Sequence, residues 1–124
     1  MNEPTAEIAK SFGFDAAHLL PNVAPDHKCA RLHGHSFRVE VRVAGPVGAE
    51  SGWVADFAEL TAAWAPLHDQ LDHRYLNDVD GLANPTSERI AIWVWDRLVH
   101  ALPGLLAVTV HETCTSQATY RGGT

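Results

Sequence analysis

From His33 to Val43 the chain alternates without a break. His33, His35, Phe37, Val39, Val41 and Val43 share one face, and Gly34, Ser36, Arg38, Glu40 and Arg42 share the other. A period of two over this length is a strand with one face buried and one face open. A second segment, Ile8 to His18, repeats the pattern: Ile8, Phe12, Phe14, Ala16 and His18 on one side, Glu7, Ser11 and Asp15 on the other. Leu105 to Thr113 predicts a third strand and Ala118 to Arg121 a short partner for it.

Between these strands lie two helical signals. Asp56 reads as an N-cap with Glu59 in the reciprocal position. Phe57, Leu60, Trp64, Leu67 and Leu71 follow at helical spacing, and Pro66 inside the run predicts a kink or an early end. The second helix is announced by Asn84, Pro85, Thr86 and Ser87, carries Ile90, Trp93, Val94, Leu98 and Ala101, and closes at Pro103-Gly104. Leu19 to Leu32 reads as a long loop, a length that in a compact domain is often functional. Ala44 to Gly52 reads as a turn, Trp53 to Ala55 as a short return strand, and Leu71 to Ala83 as a loop. Strands, two helices, then strands make an α+β fold, an antiparallel sheet with the two helices packed on one face. With 124 residues and no repeat or composition break, residues 1–124 are expected to form a single domain with one core. A small sheet has exposed edges that proteins pair or cover, so association through those edges is the economical solution.

The net charge of −6, with both signs interspersed, argues against a nucleic-acid surface. The apolar runs Ile92–Trp95 and Leu105–Val108 are too short to span a bilayer, which predicts no membrane partner. The polar start MNEPTAEIAK has no apolar signal region. Cys29 and Cys114 therefore read as thiols of a cytoplasmic protein. Eight histidines remain, and their placement is unusual.

Residues two apart in a strand point the same way and lie about 6–7 Å apart, so His33 and His35 project side by side. His18 ends the apolar face of the other strand, where it can complete a convergent triangle. Three imidazoles without a fourth protein ligand leave one coordination position free, the arrangement of a catalytic zinc, and neutral nitrogen donors suit Zn²⁺ better than Mg²⁺ or Ca²⁺. The alternative is three core histidines, each with its own polar partner.

Other residues carry chemistry beside a plainer reading. Cys29 sits between Lys28 and Arg31, where positive neighbours and a nearby metal favour thiolate, or it is a small buried hydrophobe. Asp72-His73 is either a solvated loop pair or a carboxylate orienting an imidazole that moves protons. Glu112 shares a face with Leu106, Val108 and Val110, so its carboxylate either meets paired donors or marks where the strand leaves the core. Thr86 and Ser87 are first of all helix caps.

With these residues placed, the chain resembles the 6-pyruvoyl-tetrahydropterin synthase superfamily from about Ile8 to Arg121. The matching segments are FDAAH (14–18), HKCARLHGHSF (27–37), GWVADFAEL (52–60), LDHRYLND (71–78), NPTSE (84–88) and ETCT (112–115). The three residues between Cys29 and His33 are similar to the branch that forms 6-carboxytetrahydropterin for the queuosine precursor pathway. The resemblance implies a tunnelling-type fold whose strands close into a barrel on oligomerisation. It implies zinc on His18, His33 and His35, a catalytic set of Cys29, Asp72 and His73, and a pterin held by Glu112 with Thr86 and Ser87 near the ring. The implied enzyme is a carbon–carbon lyase that converts 7,8-dihydroneopterin triphosphate to 6-carboxy-5,6,7,8-tetrahydropterin, releasing triphosphate and acetaldehyde. Lys28, Arg31 and Arg74 are the nearest cations for the triphosphate. The implied assembly is a homo-oligomer, usually hexameric, with active sites at subunit interfaces. The 6-pyruvoyl product, simple side-chain cleavage, and a non-catalytic zinc or heterocycle-binding protein are the competing readings.

Overall fold

Four antiparallel strands pair in the order β1-β2-β3-β4, in a computed structural model that describes residues 4–123. They are β1 (Thr5–His18), β2 (His33–Pro46), β3 (Leu105–Thr113) and β4 (Ser116–Tyr120). Two helices, α1 (Phe57–Leu71) and α2 (Ser87–Leu98), pack on one face of the sheet, with short 3₁₀ turns at Lys28–Ala30 and Leu76–Asp78. The α+β expectation therefore holds. Among the described residues no helix is long and apolar enough to cross a membrane.

The alternating faces set the register. Phe14 faces Phe37 across β1 and β2, with Ala16 opposite His35 and His18 opposite His33. The apolar face of the sheet carries Phe14, Phe37, Val39, Val41, Val108 and Val110, all buried. Phe14 stacks on Phe37 at 4.9 Å and Phe12 on Trp64 at 5.2 Å, which ties α1 to the sheet. From the helices come Leu60, Leu67, Leu71, Ile90, Val94 and Leu98, each fully or almost fully enclosed. Leu98→Ala is expected to cost about 2–5 kcal/mol by leaving a cavity, read as a lower urea midpoint with an unchanged slope.

The structure departs from the sequence expectations in four places. Pro66 neither kinks nor ends α1, which continues to Leu71. Leu60, Trp64, Leu67 and Leu71 are buried on both sides of the proline, while Pro66 and Ala62 face solvent, so water can satisfy the carbonyl that the missing N–H abandons. Trp53–Ala55 forms no strand, because both flanks of β2 are already occupied by β1 and β3. That segment instead closes a turn, with Gly48 N–H donating to the Trp53 carbonyl at 3.0 Å. Helix α2 ends at Leu98, and its last turn tightens as Ala101 and Leu102 both donate to the Leu98 carbonyl, at 3.0 and 2.9 Å. Strand β4 starts two residues early, at Ser116. Gly104, which opens β3, has φ of 85°, and a β-carbon there would collide with the Ala44 carbonyl oxygen. Only glycine fits this close approach.

Candidate metal centre and catalytic cavity

The end of the β1–β2 pair brings three imidazoles together. Ring centroids lie 4.6 Å apart for His18 and His33, 5.3 Å for His18 and His35, and 4.9 Å for His33 and His35. Backbone carbonyls orient two of them. His18 Nδ1 lies 2.8 Å from the Pro85 carbonyl oxygen, and His33 Nδ1 lies 2.7 Å from that of Arg31. A carbonyl only accepts, so both Nδ1 atoms carry the proton and donate, and in the neutral ring Nε2 is left with a lone pair. Burial is the largest influence on His18 and holds it below the ordinary imidazole range, which favours this neutral form.

His18 Nε2 is buried and has no hydrogen-bond partner. Facing it is Glu112, whose Oε1 stands 3.1 Å from His18 Nε2 and 3.2 Å from His35 Nε2. Donor atoms of His18, His33, His35 and Glu112 all lie within 4.8 Å of one another. Lone pairs and a carboxylate aimed at one point repel unless a cation sits between them, and carbonyl-oriented imidazoles are the usual support of a metal ligand. The residues present therefore fit a divalent metal.

Glu112 reaches this cluster through a break in strand pairing. His111 pairs with Gln117 and Thr113 with Ser116, so the β3–β4 register shifts at Glu112. Such bulges re-aim a side chain. Glu112 also follows Val108 and Val110 on the core-facing side, as the alternation predicts. Its Oε2 accepts a hydrogen bond from Ser87 Oγ at 3.3 Å. Thr86 serves as the α2 N-cap, its Oγ1 accepting from Arg89 N–H at 3.1 Å. Cys29 lies in the 3₁₀ turn before β2, with its N–H donating to His27 Nδ1 at 3.0 Å and its carbonyl accepting from Leu20 N–H at 2.7 Å. It lines a cavity of about 380 Å³ with Lys28, His33, His35, Glu112 and Ser116.

Asp72 and His73 lie elsewhere. They sit on the outer edge of β1, where Asp72 Oδ1 accepts from Asp15 N–H at 2.9 Å and Oδ2 receives His73 Nδ1 at 2.8 Å. His73 N–H donates to the Asp15 carbonyl at 2.6 Å, and Ser36 Oγ donates to Asp15 Oδ1 at 2.6 Å. This knot holds His73 at φ of 57°, the one non-glycine residue with positive φ among the described residues. His73 and Arg74 line a second cavity of about 620 Å³ with Asp15, Gly34, His35 and Ser36. Within one chain the structure thus joins Cys29 to the imidazoles and Glu112, and keeps Asp72 and His73 apart from it. Both cavities touch His35.

The charges of this pair reinforce each other. The Asp15 N–H, and then the His73 hydrogen bond, hold the Asp72 carboxyl below its usual range. The Asp72 hydrogen bond raises His73. A raised folded-state value means that the proton on His73 stabilises the fold at low pH, and that this contribution is lost as pH rises through the raised value. Asp72→Asn is expected to move the His73 titration downward, toward the ordinary imidazole range, read by NMR, and to flatten that alkaline loss, read as denaturant midpoints across pH.

Sequence reasoning did not single out Asp15, although its place on the polar face of β1 beside Ser36 was a usable signal. It also did not anticipate the Pro85 and Arg31 carbonyls, which no side-chain pattern reveals.

An antiparallel sheet backed by two helices thus carries three convergent imidazoles and a carboxylate that could hold a metal ion, with a thiol lining the cavity beside them. The chain belongs to the 6-pyruvoyl tetrahydropterin synthase family, whose sequence model matches residues 7–123. A Synechocystis relative named 6-carboxy-5,6,7,8-tetrahydropterin synthase is 52% identical, with 91% of each chain covered. A Pyrococcus furiosus relative named dihydroneopterin monophosphate aldolase is 38% identical over 80% of each chain. The structure of Caenorhabditis elegans 6-pyruvoyl tetrahydropterin synthase superposes with a TM-score of 0.89 at 28% identity, covering 99% of each chain.

Proposed function

We propose that this protein is a zinc-dependent lyase that converts 7,8-dihydroneopterin triphosphate and one water to 6-carboxy-5,6,7,8-tetrahydropterin, acetaldehyde and triphosphate, in queuosine and 7-deazapurine biosynthesis. The observation that carries this reading is the convergence of His18, His33 and His35, the last two lining a cavity with Cys29. Three neutral nitrogen donors favour zinc over harder cations. Zinc held there would supply Lewis acidity at the hydroxyls of the substrate side chain.

The chain's own groups do the rest. Cys29 removes a proton from carbon beside those hydroxyls, and the Asp72–His73 pair returns and relays protons near neutral pH. Glu112, with Ser87 on its second oxygen and Thr86 at the helix cap, meets the pterin ring. Lys28 at one cavity and Arg74 at the other are placed to draw the triphosphate. Cys29 and His73 open on different cavities of one chain, so we assign the working site to the interface of a homo-oligomer, a hexamer. There the outer edge of β4 would pair with the part of the β1 edge that precedes Asp15 and close the strands into a barrel. We take residues 1–124 to be one domain acting in the cytoplasm on a small molecule, with no nucleic acid or membrane partner.

The relationship to a protein named as an aldolase favours one rival, cleavage of the side chain without the further chemistry. Incubation of the purified protein with dihydroneopterin triphosphate, with and without a chelator, separates the readings by mass spectrometry. Carboxytetrahydropterin that vanishes with chelator is the expected result. A 6-pyruvoyl or a dealkylated product assigns the protein to another branch, and no turnover removes the proposal.

A further inference from the structure

The resemblance puts the Glu112 carboxylate on the pterin ring, and the fold puts it among the imidazoles. We infer that Glu112 is the fourth ligand of the metal while the pocket holds no substrate, and that the arriving ring draws it away. This rests on the zinc reading above and deepens it.

Distances carry the first part. In a tetrahedral site with bonds near 2.0–2.1 Å, neighbouring donor atoms are separated by about 3.3 Å. Glu112 Oε1 stands 3.1 Å from His18 Nε2 and 3.2 Å from His35 Nε2, close to that edge. The contact with His18 is not a simple hydrogen bond, because His18 already commits its proton to the Pro85 carbonyl. The β3–β4 register shift aims the side chain inward, and Ser87 Oγ engages Oε2. Oε1 alone is left for the metal.

The second part follows from exclusivity. A pterin ring presents two parallel N–H donors that require both carboxylate oxygens. Glu112 cannot give both to the ring while Oε1 stays on the metal. Its side chain retains 27% exposure and is joined to Ser87 by one long hydrogen bond, so it can swing. Ring binding would therefore vacate a coordination position at the moment the side-chain hydroxyls arrive. The exchange is a ligand substitution with no change of oxidation state. Ligands that lack paired N–H donors would meet a metal that is already full.

The test uses the full-length protein loaded with Co²⁺, whose visible spectrum reports coordination, and with Zn²⁺ in competition with a chromophoric chelator. Glu112→Gln is expected to weaken zinc by at least about 10-fold and to alter the cobalt spectrum. In the unsubstituted protein, a reduced pterin without a hydroxylated side chain should change the cobalt spectrum by releasing the carboxylate. The same pterin should leave the Glu112→Gln spectrum unmoved. Equal zinc affinity and equal spectra in the two proteins would overturn the inference, as would a cobalt spectrum of the unsubstituted protein indifferent to the ring. That last measurement stands even if Glu112→Gln folds poorly. If the unsubstituted protein binds neither metal, the zinc reading itself fails. If it binds zinc and only the Glu112 results are negative, the failure is confined to this inference.

Discussion

Cys29→Ala is expected to fold, to keep its metal, and to lose about 10²–10⁴ in turnover, the usual cost of removing a positioned acid–base group. The thiol is half-buried in the cavity that also exposes His33 and His35, yet its neighbours hold it through the backbone. Replacing the sulfur therefore leaves the turn at Lys28–Ala30 and the metal ligands in place. Zinc content, circular dichroism and product formation from dihydroneopterin triphosphate are the three readouts. Cys114→Ala is the control, since that thiol is exposed at the β3–β4 turn. An alkylating reagent should inactivate through Cys29, and bound substrate should slow it. Near-normal turnover in Cys29→Ala would leave proton abstraction to His73, and loss of zinc would make the thiol a structural group.

Loss of a metal ligand is expected to be at least as severe. His33→Ala or His35→Ala should reduce zinc from near one per chain to a small fraction and abolish turnover with it, because each removes one of only three imidazole donors and leaves the site short of the four ligands zinc takes. These two positions are cleaner than His18, which is fully buried against Phe37 and would leave a core cavity as well. Metal analysis after gel filtration is the measurement. Full zinc occupancy in a variant lacking His18, His33 and His35 would sink the assignment.

Much of the fold is legible in the sequence, and the reasons are physical. Period-two alternation marked β1 and β2 and put the three histidines on apolar strand faces, whereas the register that sets His18 opposite His33 belongs to the folded sheet. Periodicity also placed Glu112 on the core side of β3. It could not say that a bulge would carry the carboxylate to the imidazoles, since that depends on which residues of β4 it faces. The expected break at Pro66 does not occur because that residue lies on the wet side of α1, a fact its identity alone does not carry. Trp53–Ala55 misled because strand propensity says nothing about whether a sheet edge is vacant. Asp15 was noticed only as a polar-face residue, while its role lies mainly in its backbone N–H and carbonyl. Which residues of different chains meet is likewise a property of the assembly, beyond any one-chain pattern.

The left-handed backbone of His73 bears on how such a protein changes under selection. A residue with a β-carbon gives up about 1–2 kcal/mol in that region, and glycine avoids nearly all of it. A library screened only for heat tolerance should therefore drift toward glycine or asparagine at position 73, gaining thermal resistance while discarding the imidazole. Screening for turnover at the same position should return histidine. If His73 has the proposed proton-relay role, the two searches would pull one codon in opposite directions, and agreement between them would remove that role.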